Sequence, residues 1–381
     1  MVVIKREITV YSYGDGNSKK TWSNVPYFLT KTFENKGYIV NKVNTQPNKI
    51  ISRIWNALIL RVIKIFIKDS TYTYDRTPFY RSYVKRLMKK TVNKYNNTDI
   101  FISISFSYHP KEFTSRKVFM FCDWTYDYYF EHFKKRTPDF FERQEITNQH
   151  ELQKSVDGMF VLFPDVAKYV SQQAFCKNVY YLGNVINSEK YEMTSDTLVR
   201  KNKNKNIVFI GSIKYIEGLK VLVETIENLS KKYSDIRLDV IGITEKQFNF
   251  DENTNIHFWG YLNKSFDEDN KTYYDIVNNA RVFVNTTPEW ASFSAILDVM
   301  YHYTPIITSR YRSFEQTFGR EINFGSYCEN DKMQLENKIE EVIKMDSSQY
   351  ESICKNARNA VSPFSWDKYV DKMISKIDKN M

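Results

Sequence analysis

Three short runs in the first half of the chain are apolar at nearly every position. They are "DIFISIS" (99–105), "KVFMFCDW" (117–124) and "VDGMFVLF" (156–163). A strand with one wet face alternates apolar and polar residues. A strand that is apolar on both faces must be covered on both, which is the condition of a parallel sheet sandwiched by helices. The opening "EITVYSYGDGNSKKTWSNVPYFLTKTFENKGYIV" adds the connection: a strand, a loop broken by Gly14 and Gly16, a helix over about 25–35, and a second strand. The helix stops at Lys36-Gly37, a basic last turn followed by a C-cap glycine. This is a β-loop-α-β unit.

The pattern lapses in "SEKYEMTSDTLVRKNKNKN" (188–206), which is polar and almost without apolar period, and reads as a linker. It then restarts with "NIVFIGSI", "IRLDVIGI", "NIHFWGYL", "RVFVNTT" and "PIITS". Helical stretches fall between them, at about 218–233, 273–280 and 293–302, and three more close the chain near 332–344, 350–360 and 366–378. No repeat of 20–50 residues is present. At 381 residues the chain is too long for one ordinary core. The expectation is an α/β protein of two domains with parallel sheets, 1–187 and 207–361, joined by 188–206.

Four cysteines lie far apart without a C-x-x-C pair, and the first residues carry no targeting pattern, so free thiols in a reducing cytosol are expected. No stretch of about 20 uncharged apolar residues exists to span a bilayer. The net charge is +10, and its placement is uneven. Twelve basic residues lie between 48 and 95, opposed there only by Asp69 and Asp75. Within this region "NKIISRIWNALILRVIKIFIKDS" reads as a helix with a basic stripe, and "RSYVKRLMKKTVNKY" as a second basic helix. A solvated outer face is the plain reading. Docking on an anionic membrane is the functional one, with Ile51, Ile54, Trp55, Leu58, Ile59 and Phe66 at the interface.

In open parallel sheets ligands bind beyond the carboxyl ends of the strands. The loops after strands are therefore the candidates: Gly211-Ser212-Ile213-Lys214, Gly260-Tyr261, the stretch 286–294, and 308–310 with Arg310. Small residues at 291–295, Ser292 and Ser294 among them, open a helix, where free N–H groups and the dipole suit a phosphate. The bland alternative is an ordinary N-cap. Asp298 lies one turn beyond Ser294. If Leu297 and Met300 face the core, its carboxylate is placed to accept both hydroxyls of a ribose; an exposed helical acid is the bland reading.

The order of these pieces resembles a GT-B glycosyltransferase, closest to glycosyltransferase family 4. The family pattern G-R-L…K-G, then P-S…E-G-F-G…L-E-A-M…G-x-P-V, is met by "GSIKYIEG" and "TTPEWASFSAILDVMYHYTPIITS". The last part is in register, and puts Asp298 on the family's ribose-binding acid. The first domain matches more loosely, through the Gly14 loop, "TDIFISIS" and "YYLGNVIN". The resemblance implies two Rossmann-like domains facing each other across a cleft, a nucleotide-sugar bound by the second, and a final helix (362–381) crossing back to the first. Gly211, Ser212, Lys214, Gly260, Tyr261, Ser292, Phe293, Ser294, Asp298 and Arg310 fall in its donor site, with Gly14 in the facing loop.

The sequence also departs from the family. The Arg and Lys that neutralise the donor diphosphate fall on Ser212 and Glu217, leaving Lys214, Lys220 or Arg310 as replacements. Eight residues separate Glu289 from Asp298, where the family has seven. The family's first-domain His falls near Asp123 in "DWTYDYYFEHF". An inverting reaction needs a base for the acceptor hydroxyl, and Asp123 and Asp127 are the candidates, with Glu289 the third catalytic position. The neighbouring Trp124, Tyr126, Tyr128 and Tyr129 suit either sugar stacking or plain packing. Asp267 and Asp269 form a D-x-D in what reads as a solvated loop, and no other grouping has metal-ligand spacing, so no metal or cofactor is expected.

The functional expectation is an enzyme that moves a sugar from a nucleotide-sugar to a glycan or lipid-linked acceptor. The resemblance extends this to microbial surface polysaccharide, made at the cytoplasmic face of the membrane. Two other classes compete. One is a GT-B-like subunit without catalysis, kept open by the missing cations. The other is a nucleic-acid binder, disfavoured because the basic face carries no reading motif.

Overall fold

The computed structural model describes residues 6–19, 21–173, 176–248, 255–287 and 293–379. The chain divides into two compact units. Unit 1 is Met1–Asn184 with Trp366–Met381, and unit 2 is Val185–Ser365.

Unit 1 holds a six-stranded sheet: β1 (Glu7–Ser12), β2 (Ile39–Asn44), β3 (Ile100–Ile104), β4 (Lys117–Cys122), β5 (Gly158–Val161) and β6 (Val179–Tyr181). Its order is β2-β1-β3-β4-β5-β6, and every neighbouring pair is parallel. The runs that read as doubly covered strands are so: β3 and β5 are buried at every position. The chain leaves β1 toward β2 on one side and returns on the other side as β3. The order therefore reverses between β1 and β3, and a crevice opens at their carboxyl ends.

Two helices of unit 1 bury opposite kinds of face. Helix Trp366–Asp378 buries an apolar one, and lays the rings of Trp366 and Tyr369 against Phe121 of β4, with centroids 6.4 and 5.8 Å away. Helix Phe140–Ser155 starts with a capping box between Asp139 and Glu142. Its buried residues are Glu142, Glu145, Gln149 and Gln153, so its inner face is polar.

Unit 2 repeats the design with β7 (Lys205–Ile210), β8 (Ile236–Ile241), β9 (Ile256–Gly260), β10 (Val282–Asn285), β11 (Ile306–Thr308) and β12 (Gly325–Tyr327). The order is β12-β11-β10-β7-β8-β9, all parallel, and here it reverses between β7 and β10. Leu222 and Ile226 of helix Ile216–Ser230 pack in one core with Leu335 and Ile339 of helix Lys332–Ile343 and with Ile207, Phe209 and Val284 of the sheet.

Three features differ from the sequence reading. The stretch read as a linker holds helix Ser195–Lys203 within unit 2. Its anchor is Lys201, fully buried, whose ammonium donates to the carbonyls of Val277 (3.1 Å) and His302 (3.0 Å) and to Thr304 Oγ1 (2.5 Å). A helix anchored by a lysine leaves no apolar period to read. Strand β12 and helix Arg312–Phe318 were also not expected. Asp267 and Asp269 lie in the first turn of helix Asp267–Asn279 rather than in a loop. Asp269 Oδ2 accepts from the Asn263 N–H at 2.8 Å, and acids suit that end of a helix dipole.

Candidate active site

In unit 2 the reversal point is floored by glycine. A Cβ on Gly211, just after β7, would come within 2.7 Å of the Tyr215 ring. A Cβ on Gly242, just after β8 at φ +98°, would run into the Gly211 carbonyl oxygen. The Gly242 N–H donates in turn to the carbonyl of Gly260, at 2.7 Å. Bare backbone thus lies at the ends of β7, β8 and β9, with Ser212, Lys214 and Tyr261 exposed beyond it. The segment after β10 is stitched to its neighbours. Thr287 Oγ1 donates to the Tyr215 carbonyl (3.2 Å), and Ser309 Oγ donates to the Thr287 carbonyl (3.0 Å). A Cβ on Gly218 would run into Thr287 Oγ1, so helix Ile216–Ser230 meets this segment only because residue 218 is glycine.

Helix Phe293–Tyr301 comes after that segment. Phe293 is buried against the rings of Phe314 and Phe318, and Ser294 is exposed. Glu289 and Ser292 lie outside the described residues. Asp298 does not sit on an open face: it is 4% exposed. One carboxylate oxygen, Oδ2, accepts from Lys264 Nζ at 2.5 Å and from the Tyr273 hydroxyl at 2.8 Å. The other, Oδ1, is buried with no hydrogen-bond partner among the described residues. Burial works to raise this carboxyl, and Lys264, His302 and Tyr273 outweigh it, so the group sits below its ordinary value and stays charged. Leaving a buried carboxylate oxygen unpaired costs on the order of 1–3 kcal/mol, which marks it as a place for an absent donor.

His302, next to this helix's end, is held between the rings of Tyr191 and Tyr274 at 4.2 and 4.8 Å. Lys264 is the cation that the sequence reading missed. It lies after β9 in a stretch read as solvated, and its ammonium sits 3.8 Å from the Tyr273 ring centroid. The cations expected to replace the family's pair are largely committed. Arg310 is bound to Glu315 (2.9 Å) and to the Arg320 carbonyl (3.0 Å), and Lys220 to Glu217 (2.9 Å).

In unit 1 both acids expected as bases are tied down. Asp123 Oδ1 accepts from the Trp124 N–H at 2.9 Å. Asp127 Oδ1 accepts from the Tyr128 N–H (2.9 Å) and the Thr125 hydroxyl, while Oδ2 meets His150 Nε2 at 2.9 Å. Trp124 packs on Phe133 and Phe163, and the Tyr128 hydroxyl donates to Asp165. Of the four aromatics in that stretch only Tyr126 lines the cavity at the β1/β3 reversal. This cavity, of about 240 Å³, is walled by Tyr13, Trp22, Tyr80, Tyr108 and Tyr126, with Asp75 and Arg76 contributing charge. Gly14 stands beside it at φ +112°, where a Cβ would come within 2.7 Å of Thr21 Oγ1. Among the described residues no group of three or more His, Cys, Asp or Glu is placed to hold a metal ion.

Two α/β units, each with a parallel six-stranded sheet and a crevice where its strand order reverses, are the GT-B set of Rossmann-like domains. The chain therefore has the GT-B fold, and the stretch of unit 2 over residues 204–345 matches the family described as glycosyl transferases group 1. Similar solved structures extend over nearly the whole chain. Sucrose-phosphate synthase from Thermosynechococcus elongatus superimposes with TM-score 0.70 at 12% identity, covering 98% of this chain and 99% of that one. Anabaena HepE in complex with UDP-glucose gives TM-score 0.62 at 11% identity, covering 98% and 99%. The lipopolysaccharide outer core galactosyltransferase WaaB gives 0.60 at 12%, covering 99% and 100%. No curated protein sequence matches this chain.

Proposed function

We propose that this chain is a glycosyltransferase that transfers a sugar from a nucleotide-sugar to a glycan or lipid-linked acceptor, as a step in building cell-surface polysaccharide. The observation that carries the donor assignment is Asp298: buried, charged, fixed through one oxygen by Lys264 and Tyr273, and unpaired at the other among the described residues. A ribose hydroxyl supplies the missing donor. The diphosphate then meets the backbone N–H groups of the 211–214 loop and the start of helix Phe293–Tyr301. Such groups stabilise the charge that grows as the nucleoside diphosphate departs. Lys214 lies within the 211–214 loop, and Lys264 reaches the same helix through its bond to Asp298. The surface-polysaccharide role draws support from WaaB, whose name describes lipopolysaccharide synthesis.

The test is thermal denaturation with UDP-, GDP-, dTDP- and CMP-linked sugars. One of them raises the melting temperature, and Asp298→Ala abolishes the rise. No response to any of the four would overturn the donor assignment. In this reading protein groups carry the diphosphate charge, so EDTA leaves the transfer rate unchanged.

The enzyme acts at an anionic membrane surface in this proposal. Segments Lys49–Ile54, Trp55–Ile59 and Leu60–Phe66 run as one continuous helix with a π turn, and Leu60 is the only buried residue in it. Ile65 and Phe66 are 74% and 84% exposed, and Ile50, Ile51, Ile54, Leu58, Ile59 and Val62 are exposed beside them. Lys49, Arg53, Arg61, Lys64 and Lys68 flank that apolar arc. An apolar arc edged with cations matches an anionic lipid interface in both its parts. No helix among the described residues is long and apolar enough to cross a membrane.

A further inference from the structure

The cavity of unit 1 has a composition of its own. It opens at the carboxyl ends of β1, β3 and β4, where Tyr13, Ser105 and Cys122 line it. At about 240 Å³ it is smaller than the ~300–1,000 Å³ typical of drug-sized ligands, so it holds one ring rather than a nucleotide. Its walls are mainly aromatic. The Tyr13 ring is 41% exposed at the mouth. Trp22 is held at φ +38°, a left-handed backbone rare for a bulky residue; such strain persists only where the surroundings enforce it.

Asp75 faces this aromatic enclosure. It lies within the short turn Tyr74–Arg76, and its half-buried carboxylate makes no hydrogen bond or ion pair among the described residues. Its neighbour Arg76 attracts it electrostatically, but the guanidinium sends its hydrogen bonds elsewhere. That guanidinium donates to the Thr71 carbonyl (2.7 Å) and Thr71 Oγ1 (2.5 Å), and lies 4.1 Å from the Tyr126 ring centroid. Thr71 is itself bound to Glu142, and Gln149 accepts from the Tyr126 N–H (2.9 Å) and donates to Ser107 Oγ (2.7 Å). The polar face of helix Phe140–Ser155 thus fixes the cavity wall and leaves one carboxylate over.

We propose that Asp75 is a specificity-determining residue: its carboxylate accepts hydrogen bonds from the hydroxyls of one pyranose ring of the acceptor, stacked among Tyr13, Trp22 and Tyr126. Ring faces with C–H groups suit aromatic walls, and a free carboxylate suits vicinal hydroxyls. This role rests on the transferase reading, and it concerns recognition of the acceptor ring, a task separate from the base expected at Asp123 or Asp127.

Saturation-transfer NMR on the full-length protein, with methyl glucoside, methyl galactoside and methyl N-acetylglucosaminide, tests it. At least one probe receives saturation. Asp75→Asn weakens that probe's binding about tenfold, Tyr13→Ala at the exposed mouth also weakens it, and Asp123→Asn leaves it unchanged. Each variant is checked by its melting temperature and its response to the nucleotide-sugar. A nucleotide response with no pyranoside signal, or an Asp75→Asn protein that binds as the wild type does, overturns this proposal and leaves the transferase reading intact. Loss of both responses in the wild type overturns the two together.

Discussion

At the scale of single residues, His302 ties the donor side to pH. Its ring stacks between two tyrosines, with Nδ1 2.9 Å from Asn278 Oδ1 and Nε2 3.0 Å from Ser188 Oγ. Burial drives its pKa down to about 3, against the pull of Asp298 and with Lys201, Lys264 and Arg358 adding to the descent. His109 in unit 1 is pushed down to about 4, again by burial first. A lowered folded pKa favours the neutral ring. Its stability is fully present above the unfolded value near 6.5 and is lost as pH falls toward the folded value. Between pH 7 and 5 each histidine then costs about 2 kcal/mol. Urea unfolding of His302→Gln is expected to show a pH loss smaller than wild type by about that amount; equal losses would rule the histidine out. Glycines give a second residue-level test. Gly218→Ala drives a methyl into Thr287 and within 2.9 Å of its backbone N, which costs about 1–3 kcal/mol and weakens nucleotide binding through the shifted 287 segment. Gly16→Ala meets only ordinary contacts with Lys42 at 3.6 Å and leaves both unchanged. The sequence marked Gly14 and Gly16 alike, because a glycine's backbone angle and neighbours are not written in its spacing.

At the scale of elements, legibility followed apolar burial. Helix Val25–Asn35 and the strands of both sheets other than β12 were readable because their buried residues are apolar at strand or helix period. Helices Phe140–Ser155 and Ser195–Lys203 were not, because what they bury is Glu142, Glu145, Gln149 and Gln153 in one and Thr197 and Lys201 in the other. Such positions look like solvent faces to any hydrophobic count. The 49–66 helix is the converse: legible as apolar and basic, and left with its apolar arc uncovered. That arc makes a prediction about the element itself. Replacing Leu58, Ile65 and Phe66 with Ser removes exposed side chains, so the fold keeps its melting temperature. Each basic residue near an anionic surface contributes about 1 kcal/mol. Flotation with phosphatidylserine vesicles should therefore retain the wild type, release it in high salt, and fail for the triple variant. Wild type that stays in solution with anionic vesicles would refute the membrane reading, and an apolar-dependent dimer would name the occupant instead.

At the scale of the whole molecule, the two units carry different chemistry at equivalent places. Each sheet reverses its strand order once, at β1/β3 and at β7/β10, and each reversal opens a crevice at the carboxyl ends. The alternation of elements made the two sheets legible, and the resemblance pointed to Asp298 as the acid to look at. It did not give the carboxylate's environment, since Lys264 and Tyr273 are 34 and 25 residues away in sequence. Asp75 was invisible for the same reason: it counted as one acid among many bases until the fold set it against β1 and β3. The division of labour has a direct consequence. A ligand that binds only the folded form stabilises what it touches by RT ln(1 + [L]/Kd), about 2.7 kcal/mol at a hundredfold excess over Kd. Hydrogen exchange read by mass spectrometry separates the units. The stabilising nucleotide-sugar should slow exchange in 205–215, 258–264 and 293–302 and leave 100–126 unchanged. A bound pyranoside should do the reverse, slowing exchange around 13–26, 72–80 and 104–126. Nucleotide protection confined to unit 1 would place the donor at the wrong reversal and sink the assignment of Asp298, whatever the activity of the intact enzyme.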